Sequence, residues 1–271
     1  AFVDWIWNTF FYYLNSFNIF LLTNVLGPMK QAYLNMPVIS TFVLFMGAGY
    51  IIGGLRSCLI VGSLILFIAL SEYWDRTLIT LYMATFAVGV SAISGIIVGS
   101  LCSQNDFASK SILSICDFFQ TFPSFIYLIP VILLFGITDT SVMIAAIVYA
   151  SVPATRYTVE GLRSVPSSLH DAGSMSGVSK LQRWRLIDLP LALPHIMLGI
   201  NQTVIFALMM IVLGALIGTE DLGQLIMGSL SRPNGAGIGF TLGIFISFIC
   251  LAVDNLIRTW ADERKKLLGI E

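Results

Sequence analysis

The sequence is short of charge, of histidine and of paired cysteine motifs, and each shortage removes a class of function. Charged residues make up 11% of the 271 residues, with 14 Lys and Arg against 15 Asp and Glu, a formal net charge of −1. A chain so balanced offers no basic face to a nucleic-acid backbone. Its two histidines, His170 and His195, lack metal-ligand spacing, and neither is read as catalytic. Cys58, Cys102, Cys116 and Cys250 are widely spaced, with no CxxC, and read as packing residues. There is no GxxxxGK[ST] phosphate loop, so the chain itself is expected to bind neither ATP nor any other cofactor, and no metal. The apolar runs also lack the paired ionisable residues that an intramembrane hydrolase needs. No basic n-region with a small-residue cleavage site opens the chain, so no signal peptide is expected, and the absence of an initiator Met suggests processing.

What the sequence has is apolar surface. Hydrophobic residues make up 57% of it, recurring along the whole length without a linker, which predicts one all-α integral membrane protein. A spanning helix needs roughly 20 apolar residues to cross a hydrocarbon core about 30 Å thick. About seven runs qualify, near residues 36–54, 57–71, 78–101, 112–136, 140–155, 191–217 and 236–257, the second and fifth being short. Arg56, Lys110, the Arg156 to Arg185 segment and the Arg258 to Lys266 tail fall on alternate connections, which assigns that end to the cytoplasm. Glu72, Asp75, Arg76, Asp139, Glu220, Asp221 and Arg232 share the opposite end. In residues 1–35, Phe2, Ile6, Phe10, Tyr13 and Phe17 recur at helical spacing, while Asp4, Asn8 and Asn15 share another face. That pattern predicts an N-terminal interfacial helix, the alternative being part of an eighth span.

The longest basic connection, residues 158–190, is patterned as two short helices. Pro166 with Ser167 or Ser168 starts the first, with Asp171 as capping partner. Gly177 interrupts, then Ser179 and Gln182 form a second capping box before Leu181, Trp184 and Ile187. Pro190 and Pro194 are expected to turn the chain back into the membrane. Two capped helices and an exposed Trp suit either a protein partner or an amphipathic segment lying on the inner leaflet, helped by Lys180, Arg183 and Arg185.

The string Asp171-Ala172-Gly173, then Gly177, then Ile187-x-Leu189-Pro190 resembles the EAA loop of the membrane-spanning permease subunits of ATP-binding-cassette importers. Two positions depart from the family pattern: Asp171 stands for Glu and Gly173 for the second Ala. The resemblance implies a type I importer permease fold in a bacterial cytoplasmic (inner) membrane, with 36–76 as first transmembrane helices, 77–257 as the core and 258–271 as a cytoplasmic tail. It also implies a coupling helix seated on a separate ATPase subunit that holds ATP and Mg2+, an external substrate-binding protein, a second copy of the permease and surrounding lipid. "QTFPSFIYLIP" (Gln120 to Pro130) and Leu191 to Ile226, strongest around Asn201-Gln202-Thr203 and Gly223-Gln224, resemble glycine betaine, proline betaine and choline permeases. Related permeases carry trimethylamine N-oxide and other small zwitterions, which stay open as alternatives, as does an amino acid or a passive osmotic-stress channel.

Several residues have two readings. Asn201, Gln202 and Thr203 lie inside a span, where unpaired amides are costly, and so make interhelical hydrogen bonds or line the pathway. Phe118, Phe119, Phe122, Phe125 and Tyr127 surround Pro123 and Pro130, as core packing or as an aromatic gate facing a quaternary ammonium. Asp117 is an acid inside an apolar run, satisfied by neighbours or part of the path. Ser91, Gly95 and Gly99 form a small-residue ridge for close helix contact, and Asp254 and Arg258 form an ion pair one turn apart.

Overall fold

The computed structural model describes residues 2–169 and 175–268, with side chains from 9 to 169 and from 175 to 267. Every regular element among the described residues is helical. In chain order these are α1 (Phe2–Leu21), α2 (Gly27–Leu34), α3 (Val38–Ala69), α4 (Trp74–Cys102), α5 (Asp106–Thr121), α6 (Leu128–Phe135), α7 (Asp139–Arg163), α8 (Lys180–Arg183), α9 (Leu189–Gly214), α10 (Leu222–Leu230) and α11 (Ala236–Leu268).

Five helices are long and apolar enough to cross a membrane, and six if a bent pair is one span, against the seven expected. The difference lies in α3. Gly53 (φ −137°) and Gly54 (φ 64°) break it, and a left-handed φ is one that glycine adopts without the Cβ clash. A Cβ on Gly49 would sit 3.0 Å from the Cys58 Cα, and one on Gly62 would sit 3.1 Å from Met46. Such pairs are far apart on a straight helix, so the expected runs 36–54 and 57–71 are two limbs of one hairpin. The limbs pack mainly along α11: Gly53 against Thr259, Ser57 bonded to Asn255, Val61 and Ile65 around Ala252, and Phe67 against Phe245 and Phe248. This ladder puts Arg56 at the same end as the basic tail.

The centre of the molecule is α4, α7 and α9. The small-residue ridge on α4 brings two backbones together, as expected. A Cβ on Gly95 would lie 2.5 Å from the Ala154 Cβ, one on Gly99 would lie 2.7 Å from Thr158, and Ser91 Oγ donates to the Ile147 carbonyl at 3.1 Å. On its other side α7 meets α9, where Gly199 faces Tyr157 and Gly214 faces Val142. Tyr82, Met83, Met143, Leu208, Met210 and Ile211 fill the core between them. Within lipid these side chains hold the helices together by close packing and not by leaving water.

The N-terminal helix is absent from the helices able to cross, and the side chains of Phe2, Asp4, Ile6 and Asn8, on which its expected faces partly rest, lie outside the described ones. Instead it leans on the acidic end, where Asn18 Nδ2 donates to the Phe135 carbonyl at 3.3 Å and Phe17 contacts the Phe135 ring, and from α2 Lys30 pairs with Glu220 at 3.0 Å. Tyr12, Tyr13, Ile19 and Phe20 remain exposed.

Candidate translocation site and coupling loop

The run expected at 112–136 is not one rod. Phe122 is extended (φ −80°, ψ 138°), as the residue before a proline prefers, and α5 ends there. A single 3-10 turn, Ser124–Tyr127, leads into α6, set 104° from α5. Beside the break lies an apolar cleft of about 300 Å³, lined by Phe119, Phe122, Ile126, Tyr127, Pro130 and Val148 among others. The aromatic residues divide their work. Phe118 and Phe125 are exposed, whereas Phe119 and Tyr127 pack on the core, and Tyr127 donates from its hydroxyl to the Phe119 carbonyl.

A second, polar cleft of about 390 Å³ is lined by Gln120, Pro153, Arg156, Tyr157, Glu160, Gln202 and Phe206, from α5, α7 and α9. An aromatic series, Phe119 to Tyr127 (6.1 Å), Tyr127 to Tyr149 (5.3 Å) and Tyr149 to Phe206 (4.9 Å), joins the two clefts. Arg156 organises the polar one. Its Nη1 donates to Asp117 at 2.6 Å and to Gln120 at 3.4 Å, and its Nε donates to Glu160 at 3.0 Å. Asp117 is thus satisfied from a neighbouring helix. A second α5 to α7 pair, Arg163 to Asp106 at 2.5 Å, fastens the basic end, where Arg163 also donates to Ser109 at 3.0 Å.

The three consecutive polar residues of α9 part company because a helix turns about 100° per residue. Asn201 is buried and donates to Asp254 Oδ1 at 2.6 Å, an oxygen that also takes Arg258 Nε at 2.6 Å. Thr203 is buried and donates to the Gly199 carbonyl at 2.9 Å. Of the three, only Gln202 lines the cleft. Asn201 makes an interhelical hydrogen bond, the other reading given to it, whereas Thr203 bonds within its own helix, and neither lines the polar cleft. Sequence reasoning missed Arg156, Glu160, Tyr157 and Phe206 as a group. The available signal was Asp117 inside one apolar run and Arg156 at the end of the next.

In the loop expected to couple to the ATPase, Asp171, Ala172 and Gly173 lie outside the described residues, as does half of the helix expected after Pro166. Gly177 adopts φ +72°, with open space around the position of a Cβ, so glycine serves the backbone rather than packing. The second capping box is present: the Ser179 amide donates to Gln182 Oε1 at 2.9 Å and the Gln182 amide to Ser179 Oγ at 3.3 Å. The turn expected at Pro190 and Pro194 is absent. A π turn, Trp184–Asp188, joins α8 to α9, so Lys180–Ile217 runs as one long helix. Widening the helix just before Pro190 accommodates its missing N–H. Trp184, expected exposed, is half-buried with Leu189 against Leu162, Ala192 and Ile196. Ile187 and Pro190 are also half-buried, while Met175, Leu181 and Leu186 project from the loop.

At the acidic end, Asp221 caps α10 by accepting from the Gln224 amide at 3.0 Å. Burial pushes its carboxyl up to about 7 despite that bond, and Asp139 adds to the rise. Next to it, the Lys30 ammonium holds Glu220 below the usual carboxylate range.

Residues 91–266, which carry both clefts and the loop, match the family described as binding-protein-dependent transport system inner membrane component. The chain belongs to that family. Its members are transport permease subunits and not enzymes, in line with the sequence reading. Similar proteins include the trimethylamine N-oxide transport system permease protein TmoV of Pelagibacter ubique, 62% identical over 99% of this chain and 37% of that protein. The protein of the same name from Ruegeria pomeroyi is 39% identical over 94% of this chain and 39% of its own length. The glycine betaine transport system permease protein OpuAB of Bacillus subtilis is 30% identical over 97% of this chain and 93% of that protein. The chain thus spans under two fifths of the length of the two trimethylamine N-oxide permeases.

Proposed function

We propose that this chain forms the membrane path of an ATP-driven importer whose cargo is trimethylamine N-oxide. The supporting observation is the 62% identity, across 99% of the chain, to a permease named for that solute. The expected order of cargoes is thereby reversed: glycine betaine and proline betaine, at about half that identity, come second. Basic residues gathered at one end favour a cytoplasmic location for the coupling loop and the tail. There Met175, Leu181 and Leu186 offer apolar contacts to an ATPase subunit, which holds ATP and Mg2+. A substrate-binding protein delivers cargo at the acidic end, and a second copy of the chain completes the path. ATP binding then moves the coupling segment (Asp171, Ala172, Gly173, Gly177, Ile187, Leu189, Pro190), and the long helix running on from it tilts the walls of the path. Among the pathway candidates, Phe119, Phe122 and Gln202 are the residues that meet the clefts.

The test is uptake into proteoliposomes holding the permease, its ATPase and its binding protein. Uptake of labelled trimethylamine N-oxide that requires ATP, and outcompetes glycine betaine, is the expected result. Uptake of betaine alone would transfer the assignment to that solute. Flux through the permease without its ATPase would replace the importer with a channel.

A further inference from the structure

The polar cleft has a charge pattern suited to a small dipole rather than to an ion. Of the lining residues, Arg156 and Glu160 sum to zero charge, so a lone anion meets no net positive charge. A lone cation leaves the cleft's hydrogen-bond donors unused. Those donors are specific. Among the described residues, the Arg156 hydrogen bonds use Nε and Nη1, which leaves both N–H groups of Nη2 without a protein partner. The Gln202 amide and the Tyr157 hydroxyl likewise have no hydrogen-bond partner among the described residues, and both residues line the cleft. Half-buried polar groups without partners are matched when a ligand brings the acceptor. Phe206, backed by a stack on Tyr149, and the Tyr157 ring supply aromatic surface in the same cavity, and aromatic rings attract methylated ammonium groups. At about 390 Å³, the cleft falls within the range of small-molecule sites, roughly 300–1,000 Å³.

We propose that this cleft is a binding subsite for a small methylated ammonium carrying its own oxygen acceptor. Arg156 Nη2 and the Gln202 amide take the oxygen, while Phe206, Tyr157 and the Glu160 carboxylate face the methylated nitrogen. The proposal deepens the functional reading above and rests on it for the cargo. Because Asp117 and Glu160 hold the guanidinium on two edges, Arg156 presents its donors without having to be ordered by the ligand, which lowers the cost of binding. The site selects by the acceptor. A tetraalkylammonium of similar size satisfies the rings but not the donors.

Saturation-transfer NMR on the assembled permease–ATPase complex in nanodiscs, without binding protein, tests this with trimethylamine N-oxide and tetramethylammonium as probes. The expected result is methyl saturation of the N-oxide above that of tetramethylammonium. Gln202→Met should lower the N-oxide signal about tenfold, as loss of a hydrogen bond to a charged group does, and leave the tetramethylammonium signal unchanged. Gln202→Asn, which keeps the amide, serves as a second variant and should retain part of the preference. Equal signals from the two probes, or a Gln202→Met protein that binds the N-oxide like the parent, would overturn the subsite. Binding is read without transport. A wild-type system that binds the N-oxide but does not import it therefore sinks the functional reading and leaves the subsite standing.

Discussion

Adjacent residues on one helix do different work here, and substitutions should separate them. Asn201 holds a carboxylate oxygen inside the protein, so Asn201→Leu removes one of the two donors to Asp254, leaving Arg258, and is expected to lower stability by about 1–3 kcal/mol. Gln202→Leu removes no intramolecular bond and should leave the unfolding temperature within about a degree of the parent, consistent with changes of a few tenths of a kcal/mol. Thermal unfolding of the purified protein in detergent checks both. Asp221 gives a pH prediction. Its carboxyl is raised from 3.8 to about 7, so the folded state binds a proton that the unfolded chain has released. That contribution is complete below the unfolded value and is lost as pH rises through the folded one. Stability should therefore fall between about pH 4 and 7, and Asp221→Asn, which keeps the cap, should flatten the slope. An unchanged slope in the variant would refute this account.

At the scale of elements, local chemistry was legible wherever one residue type has one use. The Ser179–Gln182 box, the Asp254–Arg258 pair and the Ser91, Gly95, Gly99 ridge are all where the sequence put them. What escaped were features set by combinations. A π turn let Pro190 stay inside a continuous helix, and a proline plus one extended residue folded a span by 104°. The ridge predicts a contrast. Gly95→Val drives side-chain atoms into Ala154 and the Thr155 amide, 2.5 and 2.8 Å from the first added carbon, and should cost about 1–3 kcal/mol or prevent folding. Gly89→Ala, on the same helix with open space around it, should raise stability by about 0.5–1 kcal/mol. Expression level and melting temperature of the two variants give the comparison.

Across the whole molecule, composition announced a membrane bundle and charge announced its two ends, because both are sums over many residues. The polar cleft was not legible in that way. Arg156 looks in sequence like another basic residue at a helix end, and its role emerges only when α5, α7 and α9 meet around it. The coupling loop gives a prediction at this scale. Gly177 sits at φ +72°, so Gly177→Val strains the backbone by about 1–2 kcal/mol and should reorient Met175 relative to Leu181. ATP-driven uptake should drop several-fold while the permease itself stays folded. Full uptake with intact ATPase capture would remove the loop from the transmission. The α3 hairpin, for its part, hangs almost wholly on α11, with one glycine pair as its only corner. Such an attachment behaves as a bracket bolted to a single post. Under the alternating-access motion proposed above, the bracket travels with its post as a fixed counterweight, and the lipid it meets feels every stroke.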